Sequence, residues 1–422
     1  MAGHKDPKIR WYDAKSQMAH TMDDFRDIIN SATVGTPLTR DQFLHHLAAG
    51  VPFPRGSYLV LSGARESDVR SLVHDFELTI PILVRHNQHS TRNVSFAETR
   101  KKLVGLGEQH VYTPAHERLD RKTGKALWLP QVLPCSVWDG MVSEQRPINI
   151  LSLPSQRDRP VPAWLEDDPD YRVLRDVPAT ESATELDPRH REDSLSKCRE
   201  FGLFATAGVY SMPHVDRHGV ITTARCEEGT KLWLLWSALP MDVVAEWAAS
   251  NDPPADPAAA IVMEDGDILI MPPGTPHAPY SVTNVNMNGT MHWSKRTMLR
   301  SGRICRLEID WPEITNEEPA PCLVEKLTAV AGRWHKSVGD DGWPSSEELH
   351  IFEELVEEII QKVREKKERE ERENLQRETQ KKGKRAGEKK QKPAAGGLQA
   401  QPRNKRTGGM QIATRKKRKK GI

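Results

Sequence analysis

Cysteine is sparse and scattered. The five residues Cys135, Cys198, Cys226, Cys305 and Cys322 form no Cys-x-x-Cys pair, which argues against a zinc finger or a disulfide framework and points to a reducing compartment. Long apolar runs are missing too: no stretch of 18 apolar residues occurs, so no segment reads as a membrane span. The opening Met-Ala-Gly-His-Lys-Asp-Pro-Lys lacks the apolar run of a signal peptide. The expectation is a soluble intracellular protein. Apolar residues make up only 37% of the 422, and the deficit is local, because core-forming side chains all but vanish beyond about residue 365.

The net charge of +2 hides a division. Residues 377–422 hold 17 Lys/Arg against 2 Asp/Glu, which leaves 44 against 57 in residues 1–376. An acidic body therefore carries a basic tail, with clusters Lys381-Lys-Gly-Lys-Arg, Lys389-Lys-Gln-Lys, Arg403-Asn-Lys-Arg and Arg415-Lys-Lys-Arg-Lys-Lys. Such clusters read as nuclear import signals and phosphate-backbone contacts. No aromatic residue interleaves with them, so base stacking is not indicated, and any nucleic-acid contact should be non-specific and salt-sensitive.

The most informative stretch runs from Ser211 to Trp236 and is completed by Pro272-Pro-Gly-Thr-Pro-His277. In an extended strand, alternate side chains share a face, so His214 and Asp216 put an imidazole and a carboxylate on one side. A second histidine on a facing strand would complete the two-histidine, one-carboxylate triad of non-haem Fe(II) oxygenases, which leaves coordination positions open. His277, placed after an apolar strand and a Pro/Gly corner, is the candidate. A lone His-x-Asp is commonly a surface pair; the ordered context sets this one apart. Other histidines of the N-terminal third, among them His45, His46, His86, His89, His110 and His116, are irregularly spaced among polar neighbours and read as surface or hydrogen-bonding residues.

Taken together, His214-Val-Asp216, Gly229-Thr-Lys231-Leu-Trp233, and Gly266-Asp-Ile-Leu-Ile-Met-Pro-Pro-Gly274-Thr-Pro-His277 resemble a JmjC domain, the cupin-type branch of the Fe(II)- and 2-oxoglutarate-dependent oxygenases. The short Arg146–Pro154 segment resembles one that precedes the barrel in fungal-type members. The resemblance implies that His214, Asp216 and His277 bind iron and that Lys231 pairs with the distal carboxylate of 2-oxoglutarate. It puts the Ser211 hydroxyl on that same carboxylate. Members often carry Asn ten residues after the first ligand; here Ala224 stands there, and neighbouring Thr223 is the substitute donor. Thr290, on the closing strand, is a further candidate facing the cofactor, while His292 reads as packing. The charge logic of Lys231 stands on its own: a lysine opening an apolar strand needs an anion to meet.

The expected fold is α+β with a mainly β core, a double-stranded β-helix (jelly roll, cupin-like) with flanking helices and a disordered basic C-terminal tail. Residues 1–145 read as a mixed helix and strand scaffold, 146–315 as the jelly roll, 316–376 as a helical region and 377–422 as the tail. Within this, Pro154 to about Ser196 reads as a polar surface excursion, Arg303–Trp311 as a final strand, and the stripe from Leu349 to Val363 as a helix face that packs on the barrel or dimerises, packing being favoured. Three functional readings follow. The leading one is a nuclear dioxygenase acting on a basic protein or peptide such as a histone tail, by lysine demethylation or stable hydroxylation. The others are a catalytically inactive chromatin-binding module, and a cupin hydrolase or isomerase, which would leave Lys231 with no anion.

Overall fold

The computed structural model describes residues 9–13, 18–64, 66–85, 93–112, 115–116, 131–153, 164, 168–177, 195, 200–250, 254–315, 319–320, 322–339 and 342–390. By contacts the chain divides into residues 1–364 and 365–422. In the second of these the described residues, 365–390, are helical.

Local chemistry sets the N-terminal helices. Thr39 caps Arg40–Ala49: the Gln42 N–H donates to Thr39 Oγ1 at 3.3 Å while the Thr39 N–H donates to Gln42 Oε1 at 2.8 Å. Ser95 and Glu98 repeat this reciprocal cap on Phe96–Leu106, and Ser345 and Glu348 do so at the last long helix. Each cap satisfies donors that the first helical turn cannot. Arg40–Ala49 stops at Gly50, whose φ of 62° closes the helix in the left-handed region.

Two sheets form the centre. The larger has eight strands in the order Asn149–Leu153, Glu200–Ala205, Val285–His292, Ile221–Glu228, Ile268–Met271, Ile82–Arg85, Ser57–Ser62, Thr36–Leu38. The smaller has four, His277–Ser281, Lys231–Leu235, Ala259–Met263 and Thr33–Val34. Their facing sides share one apolar cluster: Ala224, Cys226, Leu269, Met271, Val285 and Met287 from the larger meet Trp233, Leu235, Ile261 and Met263 from the smaller. Alternation along each strand puts these residues inside and their neighbours outside. This is the expected jelly roll. Three of its larger-sheet strands come from residues 36–85, so the N-terminal region is continuous with the barrel rather than beside it.

Three expectations need correction. Arg303–Trp311 is not a strand: Met298–Asp310 is a helix, with Met298, Ser301, Gly302, Cys305 and Glu308 buried at a spacing of three and four. The shorter window suggested alternation only because it began part-way along the helix. The barrel instead closes with Val285–His292. The stretch from 154 to 196 is not simply a surface excursion, since its described residues Trp164, Asp168, Tyr171, Val173, Leu174 and Leu195 are buried. Its acidic residues misled by composition: Asp168 pairs with Arg70 at 3.3 Å and Asp170 with Lys295 at 2.9 Å. Finally, the helix Ser346–Lys390 runs 14 residues into the span expected to be a disordered tail; residues 391–422, with most of the basic clusters, lie outside the described residues, as do His86, His89 and Cys198.

The stripe on that helix packs. Leu349, Phe352, Val356 and Ile359 are buried in one cluster with Cys305, Leu327 and Trp334. Gly302 permits the approach, because a Cβ there would lie 2.8 Å from Phe352 and 2.9 Å from Leu355. Phe352→Ala should therefore destabilise the fold by about 4 kcal/mol, read as a shift of the urea unfolding midpoint at unchanged slope.

Candidate metal centre

The site is built on a backbone clamp. The His214 N–H donates to His277 O at 3.0 Å, and the His277 N–H returns to His214 O at 2.8 Å, so the two histidines face each other across a single antiparallel bridge. Their rings lie 4.3 Å apart between centroids, tilted by 50°. His214 thus sits at a bridge rather than within a long strand as expected, and Asp216 opens the short 3-10 turn Arg217–Gly219.

That turn is held hard. His218 adopts φ 64°, an uncommon left-handed conformation for a non-glycine residue. Three contacts fix it: its N–H donates to Glu308 Oε2 at 2.8 Å, its carbonyl accepts from Trp293 Nε1 at 2.8 Å, and its Nε2 accepts from the Ala320 N–H at 3.0 Å. Burial, and secondarily the charge of Arg217, pushes the imidazole pKa well down, consistent with a neutral acceptor. The second histidine is held as firmly. Arg300 Nε donates to Pro273 O and Thr275 Oγ1 to Pro272 O, at 2.8 and 2.9 Å, which braces the Pro/Gly corner leading to His277.

The three expected ligands come together. One donor atom each from His214, Asp216 and His277 lie within 4.8 Å of one another, the only such group among the described residues. Both imidazoles are oriented by backbone carbonyls, His214 Nδ1 by Met212 O at 2.8 Å and His277 Nδ1 by Thr275 O at 3.0 Å. An Nδ1–H donated to a carbonyl leaves Nε2 deprotonated and available as the coordinating nitrogen; that of His277 lies 3.8 Å from Asp216 Oδ1. The other carboxylate oxygen, Oδ2, accepts from Thr222 Oγ1 at 2.5 Å. Two oriented imidazoles and one carboxylate suit a divalent first-row metal with open positions.

Lys231 lies further along the interior. Its strand follows a turn at Gly229, φ 107°, where a Cβ would come 2.1 Å from Asn284 O, so only glycine fits. From that turn Lys231, Trp233 and Leu235 face inward. Leu235 is the register partner of His277 and Lys231 that of Ser281. Lys231 is buried, with Nζ 5.7 Å from the Trp233 ring centroid, and no carboxylate among the described residues pairs with it. Burial pulls its pKa down to about 8, with nearby Cys226 opposing weakly. The Cys226 thiol is itself pushed up to about 12, first by burial and then by Asp265, so it stays neutral.

The other sequence candidates divide. The Ser211 N–H donates to Pro279 O at 3.0 Å, a register that places Ser211 on the inward face shared by His277. Thr223 and Thr290 do not join the site. They are partners across neighbouring strands, but Thr222 reaches Asp216 and Ala224 lies in the interior cluster. Thr223 between them must point to the opposite face, taking Thr290 with it. Both are fully buried there, their hydroxyls without a hydrogen-bond partner among the described residues. His292 lies on that outer side as well and is no ligand. The residue sequence reasoning missed is Thr222, six positions after Asp216; its signal was the strand phase, which depends on where the 217–219 turn ends.

Comparison with known families agrees with this geometry. Residues 183–300 match the JmjC domain family. The chain contains a JmjC domain. The match spans His214, Asp216, Lys231 and His277 and falls inside the expected 146–315 region. No curated protein matches the chain. JmjC domains are typical of cupin-like 2-oxoglutarate- and iron-dependent oxygenases, and the His-Asp-His group is compatible with Fe(II).

Asp216→Ala should abolish Mn(II) binding, followed by electron paramagnetic resonance, while leaving the melting temperature within a few degrees. Thr222→Val, which removes only the hydroxyl that steers Asp216, should weaken Mn(II) binding by about ten- to a hundredfold; an unchanged affinity would show that the carboxylate needs no support.

Proposed function

We propose that this chain is an Fe(II)- and 2-oxoglutarate-dependent oxygenase that hydroxylates a protein substrate, with N-methyl-lysine demethylation on a basic peptide such as a histone tail as the leading case. The observation that carries the reading is the pairing of two features in one interior: a His-Asp-His group able to hold a divalent metal, and beyond it a buried ammonium with no carboxylate partner among the described residues. A hydrolase or isomerase has no use for the second feature. An inactive binding module has no use for either.

When bound, Fe(II) with 2-oxoglutarate and O2 supplies the oxidising power to hydroxylate an unreactive C–H bond, with succinate and carbon dioxide as co-products. The chain's own residues do the rest. Asp216 and the Nε2 atoms of His214 and His277 would hold the metal, and the carbonyls of Met212 and Thr275 keep each Nδ1 proton in place. Lys231 Nζ keeps its proton to hold a carboxylate, a charge pairing that gains strength where water is excluded. Trp233, Leu235, Met271 and Met287 supply that dry surrounding.

If the hydroxylated carbon is an N-methyl group, the product collapses to formaldehyde and a demethylated amine; on any other side-chain carbon the hydroxyl stays. The acidic balance of residues 1–376 favours a basic substrate, and the basic clusters beyond residue 380 favour a nuclear address with non-specific nucleic-acid contact. Succinate release across a panel of methylated histone peptides, with and without Fe(II), tests the reading. Activity should require Fe(II) and vanish in His214→Ala. Loss of one methylene from the peptide identifies demethylation, gain of one oxygen identifies stable hydroxylation, and no succinate from any peptide or from 2-oxoglutarate alone removes the oxygenase reading.

The pH dependence follows from Lys231. With the pocket free, its ammonium loses its proton above about pH 8, whereas the carboxylates of 2-oxoglutarate stay ionised, so the bound anion raises the lysine pKa. Affinity should be level below pH 8 and fall roughly tenfold per unit above it, measured by calorimetry with Mn(II) in place of iron. Lys231→Met should flatten the profile and weaken binding throughout.

A further inference from the structure

Three buried donors line the interior from beside the metal group to the far end of the strand Lys231–Leu235, and among the described residues nothing accepts from two of them. Lys231 is one. Ser281 is the second: its register places it directly opposite Lys231 on the adjacent strand, about 5 Å away between Cβ atoms, and its Oγ is fully buried without a hydrogen-bond partner among the described residues. Trp233 is the third, two residues along the same strand on the same face and so between Lys231 and the metal group. Its ring lies 5.4 Å from that of His277 and 5.7 Å from Lys231 Nζ, and its Nε1–H is also buried and without a partner among the described residues.

The donor inventory decides what could sit there. An ammonium and an indole N–H only donate, so neither can satisfy the other, and a serine oxygen that accepts from them leaves its own O–H and the remaining ammonium protons still to be met, with the charge unbalanced. The surrounding side chains Met263, Val285 and Met287 offer no strong acceptor, and the nearby Cys226 thiol is neutral and donates to Gly229 O at 3.3 Å. Leaving such donors unpaired inside a protein is costly. A single carboxylate has acceptors enough for all three, since its two oxygens accept about four hydrogen bonds, and its charge matches one lysine. Ser281 lies four residues beyond His277 on one strand, about 13 Å along the backbone, and the Lys231 side chain reaches back across part of that distance.

We infer that Ser281 and Trp233, with Lys231, form the seat for the distal carboxylate of the co-substrate. The inference rests on the oxygenase reading and adds two residues to it. They stand with Lys231 in the role the resemblance gave to the Ser211 hydroxyl, while Thr223 and Thr290, the other expected donors to the co-substrate, point away and Ala224 leaves its interior position without a polar group.

The test is 2-oxoglutarate binding to the full chain loaded with Mn(II), by calorimetry, for wild type, Ser281→Ala, Ser281→Thr and Trp233→Phe. Mn(II) affinity and melting temperature are followed in parallel. Losing a hydrogen bond to a charged group should weaken 2-oxoglutarate binding about tenfold or more in Ser281→Ala and in Trp233→Phe, with Mn(II) affinity unchanged and Ser281→Thr close to wild type. Wild-type affinity in either Ala or Phe variant removes that side chain from the seat. A parallel loss of Mn(II) affinity assigns it a structural role and overturns the inference. If the wild type with Mn(II) binds no 2-oxoglutarate at all, the oxygenase reading itself falls, an outcome distinct from the others.

Discussion

Everything at the site depends on the pair of backbone hydrogen bonds between His214 and His277. The residues are 63 apart in sequence, one before the larger sheet's Ile221–Glu228 strand and one at the start of a smaller-sheet strand. Joining them makes the metal group a property of how the two sheets meet, not of either alone. The surrounding braces support that meeting point: the left-handed turn at His218 fixes Asp216, and Arg300 with Thr275 fixes the corner before His277. Such positioning from rigid supports is what allows ligands to stay poised without the metal.

The polar groups of the interior are ordered along its length. At one end, acceptors and imidazoles suit a cation; toward the other, Lys231 and Ser281 present donors, with Trp233 between the two, its ring 5.4 Å from that of His277. The rest of the lining is apolar. A folded chain gains nothing from a buried lysine with no carboxylate partner among the described residues and loses stability through its desolvation. Its placement makes sense as binding energy held in reserve for a molecule that is negative at that end.

How far these features were legible in the sequence differs from residue to residue. His214, Asp216, His277 and Lys231 stood out because each sits in a short local pattern, bounded by glycine or proline corners whose geometry few other residues can adopt. The jelly roll was legible for the same reason, with strands as compact as Ile268–Met271 between clear turns. Thr223 was misplaced because a strand's inward face depends on its phase, and that phase is set by a three-residue turn whose length no local signal reveals. Ser281 carries no pattern whatever; only its register against Lys231 gives it meaning. Met298–Asp310 and the buried acids near Asp168 were misread because composition reports average polarity, whereas burial depends on partners distant in sequence, Arg70 and Lys295.

The strand Ile82–Arg85 lies against Ile268–Met271, which in turn abuts Ile221–Glu228 in the middle of the larger sheet. A fragment beginning near residue 146 would therefore strip away one neighbour of Ile268–Met271 and leave a row of open peptide groups flanked by Ile268, Leu269, Ile270 and Met271. Such a bare, greasy margin recruits other chains. Insolubility of the shortened protein would then report a torn sheet and not an unsound catalytic core, and the strands Thr36–Leu38, Ser57–Ser62 and Ile82–Arg85 have to be counted as part of the barrel's wall.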